Sequence, residues 1–166
     1  MSGGSIAIVG AGMGGLTAAA TLRGAGLDVH VYEQAERFER VGAGIQMMPN
    51  SMKVLRRIGV EDVVRNSSFK PYSHLNRDWD TGEILRELPM PEELFDAPYL
   101  CMHRADLVAA LTGTIPYDIV HFNKKLIGLE SGSQDVTLVF ENGTRATADA
   151  VVGADGVHSL VREIVA

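Results

Sequence analysis

Apolar and polar positions alternate along this chain between short unbroken apolar runs, helical patches and turn residues. Ser5-Ile6-Ala7-Ile8-Val9 is a continuous apolar run, the pattern of a strand buried on both faces. Gly10-Ala11-Gly12-Met13-Gly14-Gly15 follows at once, and a helix beginning near Met13 is predicted through Arg23, stopping at the Gly24–Gly26 pair. Val29-His30-Val31-Tyr32 reads as a second strand, ending at Glu33. A charged connection without an apolar face leads into Val41-Gly42-Ala43-Gly44-Ile45-Gln46-Met47-Met48-Pro49. Two glycines flanking an alanine there mark backbone that something approaches closely. Asn50 is predicted to cap a helix from Ser51 to Ile58, with Gly59 as its stop. The methionines at 47, 48 and 52 read as core filler.

From Phe69 to Tyr99 the character changes. Tyr72 to Trp79 and Glu83 to Leu88 read as two strands around Asp80-Thr81-Gly82, a hairpin signal, and Pro89, Pro91 and Pro98 stiffen the return. Tyr99 to His103 is a short strand and Arg104 to Leu111 a helix. Asp118 to Phe122 reads as the third core strand. Next come Lys125–Glu130, Val136–Phe140 and Thr144–Thr147, with Asn142-Gly143 as a strong hairpin turn. The crossover to the fourth core strand, Ala150 to Ala154, is therefore a three-stranded meander instead of a helix. The order predicts an α/β fold of the doubly wound, Rossmann-like kind.

The chemistry concentrates at the first glycine turn. In a strand–turn–helix unit Gly10 permits the sharp turn, Gly12 lets a pyrophosphate approach the backbone, and Gly15 lets helix and strand pack closely. The first N–H groups and the positive end of the helix then face a diphosphate. Glu33, ending the next strand, stands near the spacing expected of a carboxylate that accepts from ribose hydroxyls. The plain alternative is an ordinary βαβ start whose glycines serve packing alone. Arg104 opens its helix, where a cation is disfavoured, so it answers either to a bound anion or simply to solvent. Asp155 follows a core strand at the end where doubly wound sheets bind ligands, and it is equally consistent with a turn aspartate.

Composition narrows the classes. At 166 residues, 46% apolar and 22% charged, the chain fits one globular domain with a real core. A net charge of −6 with no basic run argues against nucleic acid or an acidic membrane as partner. One cysteine rules out an internal disulfide and fits a reducing cytoplasm. The apolar stretch Ile6 to Leu22 lacks the flanks of a signal or membrane segment. Cys101 and His103 share a strand face, but two ligands make a poor metal site, and none is expected. No nucleophile–base pair is visible, so no catalytic residue is assigned.

Taken together, Gly10–Gly15, Glu33, Gly42-Ala43-Gly44-Ile45, Arg104-Ala105-Asp106-Leu107 and Gly153-Ala154-Asp155-Gly156-Val157-His158-Ser159 resemble the FAD-dependent aromatic hydroxylases. The resemblance is strongest to the salicylate hydroxylase and 6-hydroxynicotinate 3-monooxygenase branch, and it covers essentially the whole chain. It implies that Gly10, Gly12, Met13, Gly14 and Gly15 wrap the ADP pyrophosphate of FAD, with Glu33 on the adenosine ribose and Gln34 beside it. Gly44, Ile45 and Gln46 would line the flavin region. Arg104 would contact FAD phosphate or ribityl oxygens, the backbone at Leu126 would pass the adenine, and Asp155 would serve both FAD and NAD(P)H. Gln46 stands where the hydroxynicotinate enzymes carry a histidine, which speaks against that substrate. The implied reaction is hydroxylation of a small aromatic substrate by molecular oxygen through a C4a-hydroperoxyflavin, with NADH or NADPH as electron donor.

The same resemblance implies that the chain is an N-terminal portion. Residues 1–70 and 99–166 would form the FAD-binding domain, incomplete at its C-terminus, and 71–98 the first hairpin of a substrate-binding sheet. Its partner would then be the missing C-terminal half of its own chain, and a homodimer is compatible with it. Two other readings stand beside this one: an NAD-linked dehydrogenase using the same glycine turn, and a non-catalytic nucleotide-binding module.

Overall fold

The computed structural model describes residues 4–40 and 42–166; Val41, within the second glycine stretch, lies outside them. In chain order the elements are β1 (Ser5–Val9), α1 (Met13–Gly24), β2 (Asp28–Tyr32), β3 (Gly44–Met47), α2 (Pro49–Arg57), α3 (Glu61–Asn66), β4 (Ser73–Arg77), β5 (Ile84–Pro89), α4 (Glu92–Phe95), β6 (Leu100–His103) and α5 (Arg104–Thr112). A 3₁₀ turn (Tyr117–Ile119) then leads to β7 (Val120–His121), β8 (Leu126–Ser131), β9 (Val136–Phe140), β10 (Arg145–Ala148), β11 (Ala150–Gly153) and α6 (Leu160–Val165). The chain divides into two compact units, Met1–Arg40 with Val108–Ala166, and Val41–Leu107.

The first unit is built on a parallel sheet of order β11-β1-β2-β7. Its centre is β1, paired on one side to β11 (Val9↔Gly153) and on the other to β2 (Val9↔Tyr32). A strand enclosed in this way must be apolar on both faces; Ala7, Ile8 and Val9 are all buried. α1 follows β1 and buries Gly15, Leu16 and Ala19. The other face carries the antiparallel meander β10-β9-β8. There Ala7 and Val9 join Leu126, Leu138, Phe140, Ala148 and Val161 in one core cluster. As the spacing predicts, the crossover from β7 to β11 is that meander.

One expected core strand is shorter than predicted. Of Asp118 to Phe122, only Val120 and His121 pair with β2, and the residues before them coil into the 3₁₀ turn. Pro116, at the N-cap of that turn, presets the bend.

In the second unit β3 pairs antiparallel with β6, and β4 with β5. The hairpin turn forms where Asp80-Thr81-Gly82 predicts it. The Asp78 carboxylate accepts from the backbone N–H groups of Asp80 and Thr81 at 2.9 and 2.8 Å, an Asx turn that competes well with further strand. Three details depart from expectation. α2 begins at Pro49 with Met48 as its N-cap, so Asn50 lies inside the helix; proline's missing N–H costs nothing in a first turn. Met47 and Met52 are buried as core filler, but Met48 is exposed. The segments Glu61–Asn66 and Glu92–Phe95 are short helices that the sequence pattern does not announce.

Candidate nucleotide-binding site

The carboxyl ends of three adjacent strands, β11, β1 and β2, carry the predicted residues of the first unit except Leu126, which opens β8. Gly10 has a φ of +100°, and a Cβ there would stand 2.5 Å from the Ala154 carbonyl oxygen. Only glycine reconciles that backbone with that neighbour. The Gly10 N–H donates to the Tyr32 carbonyl and the Ala154 N–H to that of Val9, both at 2.8 Å. The turn is thus stitched to the strands on either side. A Cβ on Gly15 would overlap the Gly10 carbonyl oxygen, so that glycine serves the close helix–strand packing predicted for it.

Gly12 and Gly14 are different. Beyond its own neighbours and turn of helix, a Cβ at either would meet no atom of the described residues within 4 Å, so no packing among them demands glycine there. Gly12 is the N-cap of α1 and offers its first-turn N–H groups no side chain, and that turn contains no acidic residue. A helix of this length leaves those donors and its positive end to an external acceptor. Met13 is the first helical residue, and its carbonyl accepts from the Thr17 hydroxyl at 2.7 Å.

Glu33 comes to this turn from β2. Its Oε2 accepts from the Ala11 N–H at 2.7 Å and its Oε1 from the Ala35 N–H at 2.9 Å. Each carboxylate oxygen retains a further lone pair, which a sugar diol could use. Sequence reasoning missed this contact with Ala11, because it joins residues 22 apart through the pairing of β1 with β2. Gln34, next along, is exposed.

The Asp155 carboxylate is engaged by its own chain. Oδ1 accepts from the Ser159 hydroxyl at 2.6 Å and Oδ2 from the Val161 N–H at 3.2 Å, while Ser159 caps α6. Burial would raise its pKa, but these hydrogen bonds outweigh that and hold the carboxyl below the usual carboxylate range. Ser159 just before the apolar Leu160-Val161 is the signal that could have revealed this cap. Leu126 directs its side chain into the core cluster.

The remaining candidates belong to the second unit, where β3 brings Gly44, Ile45 and Gln46 opposite His103, Met102 and Cys101 of β6. The close approach predicted at the second glycine stretch is made by Arg104. Gly42 has a φ of +141°, and a Cβ on it would stand 3.0 Å from the Arg104 Cβ; the Arg104 N–H donates to the Ala43 carbonyl at 3.0 Å. His103 Nδ1 accepts from the Ala105 N–H at 3.1 Å, serving the first turn of α5. Among the described residues no group of three His, Cys, Asp or Glu could hold a metal ion, and no helix is long and apolar enough to cross a membrane.

Comparison with known proteins agrees with this geometry. A family model described as FAD binding domain matches residues 4–166. The chain is 41% identical over 161 residues to 6-hydroxynicotinate 3-monooxygenase of Bordetella bronchiseptica, covering 95% of this chain and 42% of that protein. It is 43% identical over 163 residues to 3-amino-4-hydroxybenzoate 2-monooxygenase of Streptomyces cremeus, covering 96% and 41%. Among solved structures, Klebsiella pneumoniae HpxO complexed with FAD and uric acid superposes with a TM-score of 0.84 at 29% identity, over 96% of this chain and 41% of that one. The chain therefore spans about two fifths of the length of these relatives. With the match running over all but its first three residues, the chain belongs to the FAD binding domain family.

Proposed function

We propose that this chain is the FAD-binding part of an aromatic-ring hydroxylase. The observation that carries the reading is the pair Gly12 and Gly14, open where the fold needs no glycine, at a helix start whose neighbouring strand ends in Glu33. The residues fit the group. The first-turn N–H groups of α1 would hold the diphosphate, and Glu33 the adenosine ribose through its spare lone pairs. Gln34, Leu126, Asp155, Gly44, Ile45, Gln46 and Arg104 are assigned by resemblance. FAD, when bound, supplies electron transfer from NADH or NADPH and the activation of oxygen. The chain's part is to bind, orient and shield it. A small aromatic molecule is the substrate class, in line with the relatives' names. The hairpin of β4 and β5, within residues 71–98, belongs in this reading to a substrate-binding layer completed by further chain. A reducing cytoplasm suits its single cysteine.

Flavin titration of the chain, followed by fluorescence quenching, tests this. FAD should bind saturably, and Gly12→Val should weaken it by about tenfold or more, because its branched side chain fills the space the diphosphate needs. Unchanged affinity in the variant would sink the assignment. Protein that ignores FAD but is protected by NAD would instead favour the dehydrogenase reading.

A further inference from the structure

Under the meander, two histidines from neighbouring strands meet. His30 Nδ1 of β2 and His121 Nε2 of β7 are 3.0 Å apart, with rings stacked at 5.2 Å between centroids. Tyr32 stacks on His121 at 5.0 Å and contacts Phe140 on its other side. The charged and titratable groups around the pair come from three places, β2, the 3₁₀ turn and the segment beyond β7. Asp28 of β2 lies 3.7 Å from His30 Nε2, and Tyr32 stacks as described. Asp118 from the 3₁₀ turn and Lys124 beyond β7 act on His121 with opposite signs. We propose that His30 and His121 form a proton-sharing latch that ties the edge strand β7 to β2 and opens when both rings are charged, loosening the nucleotide site in acid.

The geometry dictates the response. With both rings neutral, one nitrogen of the 3.0 Å contact donates and the other accepts. Uptake of one proton leaves this bond intact. One ring of the pair then donates across the contact and the other keeps a bare nitrogen there to accept. A second proton puts hydrogen on both nitrogens of the contact, where no acceptor remains, and sets two cations side by side. Burial first, then His30 and Lys124, already push His121 below the usual imidazole range against the pull of Asp118. A depressed histidine pKa stabilises the fold fully above the unfolded value and loses that contribution as pH falls through the folded one.

The latch matters because β7 is only two residues long and its backbone holds Glu33. The Glu33 N–H donates to the His121 carbonyl at 2.9 Å, and the Glu33 carbonyl accepts from the Lys124 N–H at 2.8 Å. Separating the rings therefore loosens the backbone hold on the residue proposed above for the ribose, leaving it to the Ala11 and Ala35 N–H groups; this consequence rests on the FAD reading, whereas the latch itself does not.

The experiment uses the whole chain and has three arms. Nitrogen-resolved NMR of the imidazoles should show one shared proton in the contact near neutral pH, with the proton that charges the second ring taken up only below about pH 6.5, the ordinary imidazole value. Hydrogen-exchange protection of the Glu33 amide, corrected for intrinsic rates, should fall up to about tenfold per pH unit below that point. His121→Gln and His30→Gln should flatten the dependence. FAD affinity, measured at about pH 7.5 and about pH 5.5, should follow the amide. Rings that titrate independently, or protection indifferent to pH, overturn the latch; if the variants fail to fold, the wild-type NMR still decides. Absence of FAD binding at the higher pH would instead refute the nucleotide reading, leaving the first two arms to judge the latch.

Discussion

Gly14 and Gly15 are neighbours on the first turn of α1, and a methyl group at each meets opposite surroundings. At Gly15 it would overlap the Gly10 carbonyl oxygen, whereas at Gly14 it enters open space. Gly15→Ala should therefore cost about 1–3 kcal/mol, the usual range for forcing atoms into a packed site. Gly14→Ala should raise stability by about 0.5–1 kcal/mol, because alanine is the better helix former and meets no clash. Urea unfolding of the two variants checks the signs; equal destabilisation would mean that Gly14 also has a packing role. The glycine spacing in the sequence already gave Gly15 its packing job, though it gave Gly14 none of its own. It could not show the hydrogen bond from Ala11 to Glu33 or the closure of Asp155 onto Ser159 and Val161. Both depend on how strand ends and helix starts meet in space. Nor could it show that the second glycine stretch makes room for the stem of Arg104.

At the scale of elements, what was legible is what is locally specified. β1, α1, β2 and the meander announce themselves by unbroken apolar runs, glycine turns and Asn-Gly, and they stand where the pattern puts them. What was not legible is held by distant partners. α3 and α4 are too short to show a helical period, and charge ties them together: Glu61 binds Arg56 of α2 at 2.5 Å and Arg65 of α3 at 2.7 Å, while Glu92 of α4 binds Arg65 and, at 2.7 Å, Lys70. Glu61 is buried and has both partners. Hydrogen bonds from Arg56 foremost lower its pKa, and those from Arg65 and Lys70 lower that of Glu92 to about 2. Because both folded pKa values lie below the unfolded ones, their stabilisation is complete above roughly pH 4.5 and is lost as pH falls toward 2. Acid thus acts on the second unit in a lower range than on the histidine pair of the first. Glu61→Gln should cost about 1–2 kcal/mol, since its partners are partly solvated, and should remove part of the loss of stability below about pH 4.5. Chemical unfolding of wild type and variant at about pH 7 and about pH 3 measures both effects.

Across the whole molecule, exposed apolar side chains are concentrated in the second unit around its hairpin. Phe69, Tyr72, Trp79, Leu85 and Leu94 are each more than two thirds exposed, Trp79 at 92%. Every residue of β5 is exposed, and among the described residues β4 and β5 form a sheet of two strands, so each has an edge that none of them pairs. A two-stranded sheet of this kind is marginal alone, and a cluster of large apolar groups beside open edges is a surface that further protein normally covers. The chain spans about two fifths of the length of its relatives, which suits the proposal that more sheet joins here. Exposed side chains contribute little burial to the folded state, so replacing them should separate folding from association. The double substitution Trp79→Ser with Leu85→Thr should leave stability within about 0.5 kcal/mol of the starting chain, as surface changes usually do. The same change should reduce concentration-dependent self-association, read by sedimentation velocity across a dilution series. A large drop in melting temperature would show that these side chains already pack within the chain, and unchanged association would place the sticky surface elsewhere. If association falls while stability holds, the hairpin is an interface held ready by the fold, its edge strands set for pairing before any partner strand arrives.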